Sequence, residues 1–423
     1  MKSVRSSWNH RIRCLLPALI LTKSVFSQTD VWDLPPLHYS DSLANDAIAQ
    51  LEKSWRKTEQ PLTATMEIER VRQILSLLKV PISSQILVFS KTSKQNSLIW
   101  PANPRAIYFS PNCYVGFVPG GAVEAIVQDP QLGPVFYLIQ TGDSQRAPHA
   151  ERDTSDCLSC HATGRTENVP GMLVRSVYPD ESGNPLLSLG TTLVDHTTPI
   201  AERWGGYYVT GSINLPHLGN HIYREDHAVT PAIEFLSDLT KKIDTTKYPQ
   251  PTSDIVALLV LEHQCKAHNL LNAASVNYKR AYHLAKALNP NAAPDEGSAG
   301  RIAELAAIQI AEWFLFKNEA ELGDEGVSGS PLFEKEFFAN IPKCADGSSL
   351  ADFHLQSRIF KNRCSYMIYS DAFAQLPATV KQYTLKKIEE ILTSSQAPSG
   401  FEYLKKSERQ RILTILRETK VLS

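Results

Sequence analysis

The chain has 423 residues, 43% of them hydrophobic and 21% charged, enough for two or three domains and a substantial buried core and too apolar for a disordered chain. Its 43 basic and 44 acidic residues give a formal net charge of −1, so the charge balance offers no case for binding nucleic acid. Beyond the N-terminus no run reaches the roughly 18 consecutive apolar residues that a membrane-spanning helix needs.

The first 27 residues read as a secretory signal peptide. Lys2, Arg5, Arg11 and Arg13 form a basic start, residues 14–22 a short apolar run, and Val25-Phe26-Ser27 a cleavage site that leaves Gln28 as the mature start. Lys23 cuts the apolar run short. Cleavage removes five basic and no acidic residues, leaving 38 basic and 44 acidic, a net charge of −6. A periplasmic or otherwise extracytoplasmic location follows, with no membrane span after signal cleavage. Of seven cysteines, Cys14 leaves with the signal. Cys344 and Cys364 either pair in an oxidising compartment or stay as buried free thiols.

Along the mature chain, residues 29–39 form a proline-containing lead-in. Residues 42–79 show helical periodicity through Leu43, Ala47 and Leu51 and again through Val71, Ile74, Leu75 and Leu78. Between 85 and 141 the pattern changes to short apolar runs (86–89, 106–109, 114–118 and 135–139) separated by Pro, Gly and Asn, which predicts strands and turns.

Residues 157–161 then read Cys157-Leu158-Ser159-Cys160-His161, the pattern of c-type haem attachment. Two thiols at this spacing each add to one vinyl group of the macrocycle, and the adjacent His161 supplies the proximal iron ligand. A thioredoxin-like dithiol expects a strand before the motif and an opening helix. Here a polar stretch, 146–156, precedes it. A zinc site needs a second ligand pair, and none is nearby. One such motif implies one covalent haem c.

After the motif, 174–178, 186–193 and 207–210 read as strands or extended loops. From 232 onward the period is helical, with a long amphipathic pattern over Ile255–Leu288 broken at Asn289-Pro290. Further helices are expected over 301–318, 379–392 and 408–419, and a glycine-rich acidic connector over 323–342. The expected fold class is α+β. A mixed strand- and loop-rich haem-bearing half (28–228) precedes a mainly helical half (229–423).

The sixth iron ligand stays open between several candidates. Met172, in Pro170-Gly171-Met172, would raise the reduction potential, or it fills core space. His196 follows Asp195, which would orient it, and His217 lies in a glycine-containing loop. Either histidine is otherwise an ordinary satisfied side chain. His263 and His268 are five apart on the predicted helix and point about 140° apart, which does not make a metal pair, although His263 next to Glu262 would support a haem pocket. Trp204, Tyr207 and Tyr208 beside Gly205-Gly206 wall the macrocycle or pack as an aromatic turn. Arg203 or Arg165 pairs with haem carboxylates or is a surface arginine.

Several segments resemble a family of largely uncharacterised exported bacterial cytochrome-c-domain proteins with a single CxxCH haem site. They run from 87–93, 104–109 and 114–121 through the motif itself to Val169-Pro170-Gly171, Asp195-His196 and 203–211. Leu261-Glu262-His263-Gln264, His268-Asn269 and 363–370 continue the likeness. The blocks span nearly the whole mature chain, which implies one integrated architecture and a haem protein of the cell envelope, without an assigned substrate. Ala267 stands where the resemblance leads one to expect methionine, which weakens a sulfur ligand at that position.

Two functions follow as expectations. One is one-electron transfer by a mono-haem cytochrome, with a redox partner protein or small-molecule donor or acceptor that the sequence does not identify. The alternative is a haem enzyme or a gas or redox sensor with an open distal iron site, in which a nearby histidine performs acid–base chemistry. A scaffold role for the haem is a third, lesser reading.

Overall fold

The computed structural model describes residues 30–59, 62, 64–143, 145–227 and 229–422. The expected signal peptide lies outside the described residues. The architecture is α+β, with a strand-rich first half and a helical second half.

The first half is organised by one antiparallel sheet. Two helices come first, α1 (Ala47–Thr58) and α2 (Glu67–Leu77). Asp46 caps α1 by accepting the amides of Ile48 and Ala49 at 2.8 and 2.9 Å. The helical region expected over 42–79, with its two apolar periodicities, is two helices.

Strands β1 (Ile86–Val88), β2 (Arg105–Ser110), β3 (Cys113–Phe117), β4 (Val123–Asp129), β5 (Gly133–Gln140) and β6 (His149–Asp153) follow as a meander. A later strand, β9 (Tyr207–Tyr208), adds to the open side of β1, giving the order β6-β5-β4-β3-β2-β1-β9. Residues directly opposite one another share a face. One face carries Tyr108, Val115, Ala125 and Tyr137 and is fully buried, in one core cluster with Trp55 of α1 and Ile74 of α2.

The other face carries the row Phe109, Tyr114, Ile126 and Phe136, and beside it Ile107, Gly116, Glu124 and Leu138. Phe109, Tyr114 and Phe136 are buried. Ile107, Gly116, Glu124, Ile126 and Leu138 are half-exposed, so this face is only partly covered.

After β6 come a single helical turn, α3 (Leu158–His161), a ribbon of β7 (Arg175–Val177) and β8 (Thr191–Leu193), then β9 and β10 (Ser212–Ile213). The segment 232–254, expected to begin the helical region, is irregular apart from one short 3-10 turn.

Helix α4 (Ile255–Leu288) has the expected bounds but not the expected pattern. Every residue from Ile255 to Cys265 is buried, as in a helix enclosed on all sides. Asp254 caps it through the Ala257 amide at 2.8 Å. Around it pack α5 (Gly297–Phe314), α6 (Pro331–Ala339), α7 (Asp371–Ala374) and α8 (Ala378–Thr393), and α9 (Lys406–Glu418) lies against α8. Strand β11 (Val327–Ser328) pairs with β10. Together with α6 it gives structure to a segment expected as a connector.

Ile86, Phe109 and Tyr114 of the sheet belong to the same core cluster as Leu258, Ile310, Val380 and Ile412 of the helices. One hydrophobic core therefore runs across residue 228. Among the described residues no helix is long and apolar enough to cross a membrane, and Cys344 and Cys364 are buried free thiols.

Candidate haem-attachment site

The motif is built on the end of the edge strand β6, so a strand does precede it where the sequence suggested only a polar stretch, and what opens after it is a single helical turn of four residues. Asp153 closes that strand and accepts the amides of Ser155 and Cys157 at 3.0 and 3.1 Å, while its other oxygen receives Lys94 at 3.1 Å. Burial works against this carboxylate. The Cys157 and Ser155 amides and the Lys94 ammonium outweigh it and hold the pKa below the usual range. The resulting turn delivers Cys157 to the start of α3, where the His161 amide bonds the Cys157 carbonyl at 2.9 Å. Cys157 is half-buried and Cys160 exposed. Burial, with Asp153 adding to it, pushes the Cys157 thiol up to about 12, so it is kept protonated.

His161 is tied to Gly171 twice. The Gly171 amide donates to the His161 carbonyl at 2.8 Å, and His161 Nδ1 lies 2.8 Å from the Gly171 carbonyl. A carbonyl only accepts, so Nδ1 carries the proton and Nε2 presents a lone pair. Burial lowers the His161 pKa, which favours the neutral imidazole that a metal requires. The ring lies 5.2 Å from that of Phe136 on the sheet.

The loop 170–172 is fastened to α4. Asn269 Oδ1 accepts the Met172 amide and its Nδ2 donates to the Met172 carbonyl, both at 2.8 Å, and Asn272 donates to the Pro170 carbonyl at 2.7 Å. A Cβ on residue 171 would stand 2.4 Å from Asn269 Oδ1, so any side chain there would push Asn269 out of its bonds.

A charged pair borders the site on the half-exposed sheet face. Arg105 meets Glu124 at 3.1 Å, and Glu124 also accepts from Ser93 at 2.7 Å. The Arg105 side chain crosses β3 at Gly116, where a Cβ would lie 3.3 Å from the Glu124 carboxylate. Both charges act on His161, Arg105 lowering and Glu124 raising its pKa. The Arg105 Nε is buried without a hydrogen-bond partner.

These residues fit a covalent haem. Two thiols flank one helical turn, an oriented neutral imidazole follows them, and the carbonyl that sets its tautomer is itself held. Among the described residues no group of three or more His, Cys, Asp or Glu is arranged to hold a bare metal ion.

The other nominated residues are distributed differently. His196 is buried in the helical core, stacked 3.7 Å from Trp313. Its Nδ1 is 2.7 Å from His263 Nδ1, and its Nε2 is 3.4 Å from the Lys317 carbonyl. That carbonyl requires Nε2–H. His263 Nδ1–H therefore donates to His196, and His263 Nε2 accepts from the Ser365 hydroxyl at 2.7 Å. The chain of bonds uses every ring nitrogen of both histidines. Burial drives the pKa of His196 down to about 3 and that of His263 well below the ordinary value.

His217 is buried with its ring edge-on to Trp204, and its Nδ1 accepts the Gly219 amide at 3.1 Å. Its Nε2 has no hydrogen-bond partner among the described residues, and burial lowers its pKa to about 4. Met172 is buried in the main core. His268 bonds the Tyr114 hydroxyl at 2.6 Å.

Arg203, nominated for haem carboxylates, is buried and bonded to Glu262 at 2.6 Å and to the carbonyls of Thr198 and His196. Arg165 is exposed on a 3-10 turn. Trp204 is buried and donates Nε1–H to Glu262 at 2.7 Å. Gly205 lies flush against the Val177 carbonyl, where a Cβ would come to 2.1 Å. Close approach is indeed the reason for the glycine, but the partner is β7. Tyr207 and Tyr208 are buried in β9, and Tyr208 donates to the Pro101 carbonyl at 2.8 Å.

Sequence reasoning did not identify Asp153, Phe136, Arg105, Asn269 or the Gly171 carbonyl as parts of the site. Phe136, Arg105 and Asn269 act through contacts distant in sequence, whereas Asp153 stands four residues before Cys157. Gly171 had a legible signal, a Pro-Gly ten residues beyond His161. Compared with protein-family models, with curated proteins and with solved structures, the chain matches none of them.

Proposed function

We propose that this chain is a mono-haem c-type cytochrome of the cell envelope. In this reading haem c is linked through Cys157 and Cys160, His161 is the iron ligand, and the protein transfers single electrons between partners outside the cytoplasm. The observation that carries it is the His161–Gly171 pair. Its Nδ1–H···O=C bond at 2.8 Å fixes the tautomer that leaves Nε2 as donor to a metal, in the way metal-ligating histidines are oriented. The family resemblance to exported cytochrome-c-domain proteins belongs to the same proposal.

The haem would supply a one-electron iron couple whose potential depends on its ligands and surroundings. The chain's own residues orient the ligand through Gly171, keep the imidazole neutral by burial, and set charge near it through Arg105 and Glu124. A second reading, a haem enzyme or sensor with an open distal position, is favoured by one observation. His196 uses both ring nitrogens within the helical core, which removes one distal candidate.

Expression in a host with working haem-maturation machinery tests both. The expected product gains the mass of one haem and a Soret band, and both are lost in C157A/C160A. A mature chain without mass gain or Soret band removes the proposal. Carbon monoxide then separates the two readings, since an unchanged low-spin ferrous spectrum fits transfer and a gas-binding high-spin spectrum fits the enzyme or sensor.

A further inference from the structure

We infer that Asn269, on α4, is a positioning residue for His161 that acts through the peptide group joining Gly171 to Met172; the inference rests on the haem reading above. The Gly171 carbonyl and the Met172 amide belong to one planar trans peptide, whose C=O and N–H point in opposite directions. Asn269 Oδ1 holds the N–H end at 2.8 Å. The C=O end accepts His161 Nδ1–H at 2.8 Å. The peptide is therefore a rigid link between an amide side chain on the helix and the imidazole on the motif.

Three further observations show that this link is built rather than incidental. Asn269 is 3% exposed and also donates to the Met172 carbonyl at 2.8 Å, so its amide engages both backbone groups of one residue. Asn272, nearly one helical turn further on, donates to the Pro170 carbonyl at 2.7 Å. Gly171 makes room for Asn269, because a Cβ there would lie 2.4 Å from its Oδ1. Residues 170–172 are thus held to α4 on both sides of the carbonyl that His161 uses.

Consecutive hydrogen bonds through one peptide polarise each other. A firm, polarised Gly171 carbonyl draws the Nδ1 proton and makes Nε2 a stronger donor, which favours a ferric over a ferrous partner. Loosening it has the opposite effect. On this account the helical half of the chain sets the electronic character of a ligand carried by the strand-rich half.

The test uses the full-length chain with covalent haem confirmed by mass, comparing N269A, N269D and L271A. Midpoint potential is measured by equilibrium titration. If the ferrous form binds carbon monoxide, the iron–histidine stretch is measured as well, by resonance Raman after photolysis of the gas; if it does not, the midpoint potential alone is the readout. N269A is expected to shift the potential positive and the stretch to lower frequency. N269D keeps an acceptor for the Met172 amide but sets an oxygen in place of the donor to the Met172 carbonyl; its added negative charge favours the ferric form, so its potential is expected to move negative, opposite to N269A. L271A trims a buried side chain near Asn269 on the same helix and is expected to lower the unfolding midpoint while moving neither potential nor stretch. Should N269A fail to mature, N269S carries the same expectation as N269A.

Haem-bearing N269A with wild-type potential and stretch would overturn the inference and leave the haem reading standing. So would shifts of the same sign and size in N269A, N269D and L271A. A wild-type chain without attached haem would remove both.

Discussion

Arg203 and Glu262 meet at 2.6 Å with side chains 1% and 0% exposed. The second oxygen of Glu262 receives the Trp204 indole N–H at 2.7 Å. Burial raises the Glu262 pKa and the Arg203 guanidinium opposes it. A pair this deeply buried is more informative when broken than when counted, because removing one partner strands the other charge in a medium that solvates it poorly. R203A is therefore expected to cost about 3–5 kcal/mol, and R203M/E262L to regain much of it. Denaturant unfolding of the three proteins measures both. If the double variant is as unstable as R203A, the stranded charge is not the cause.

Acid sensitivity should trace partly to His196. Its pKa is driven down to about 3 by burial, against roughly 6.5 in an unfolded chain. Between those values the unfolded state binds one more proton, so the stability contributed by this group is complete above its unfolded pKa and is lost as pH falls toward 3. The slope is up to about 1.4 kcal/mol per pH unit. H196N is expected to be less stable at pH 7 but to lose stability less steeply between pH 6 and pH 4. Parallel slopes in urea unfolding would count against it.

Replacing Gly171 by alanine should be costly where replacing Gly164 is not. The added Cβ meets Asn269 Oδ1 at 2.4 Å and Thr166 at 3.0 Å, whereas at Gly164, among the described residues beyond its chain neighbours, it comes within 4 Å of Asn168 alone, at 3.8 Å. G171A is expected to lose about 1–3 kcal/mol and G164A to stay within about 0.5 kcal/mol, both read from thermal or denaturant unfolding.

The charge pair beside His161 gives a prediction of sign. Arg105 disfavours positive charge at His161 and Glu124 favours it. If haem c is attached as proposed, R105Q is expected to lower the midpoint potential and E124Q to raise it, by stabilising and destabilising the more positive ferric state. Potentials that move in the same direction in both variants would show that repacking, not charge, dominates.

Much of the fold was legible in the sequence because its signals are local. The apolar runs at 86–89, 106–109, 114–118 and 135–139 fall on β1, β2, β3 and β5, and α4 was bounded by its apolar pattern and the Asn289-Pro290 break. What could not be read depends on tertiary contacts. The edge strand β6 is His-Ala-Glu-Arg-Asp, too polar for an apolar signal, and its pairing with β5 decides it. Helix α6, following a glycine-rich stretch, buries Phe333 and Phe337, which composition alone does not predict.

At the candidate site, Cys157, Cys160 and His161 were singled out by spacing alone. Asn269 lies 97 residues from Met172 and looks like any polar residue of a helix. His196 and Arg203 looked like loop residues available to a cofactor, because nothing local reveals that Trp313 and Glu262 enclose them.

The pairing of β1 with both β2 and β9 has a topological consequence. β9 comes 46 residues after His161 in the chain, so the sheet gains its last strand only once the segment bearing the two thiols has been looped out between its first and last members. A fragment ending before Tyr207 would keep β1 as an unprotected edge, a template for aggregation. One ending before α4 would leave loop 170–172 unfastened. The attachment motif is therefore not a transplantable cassette, and the shortest chain able to present His161 in this geometry must extend at least through Asn272.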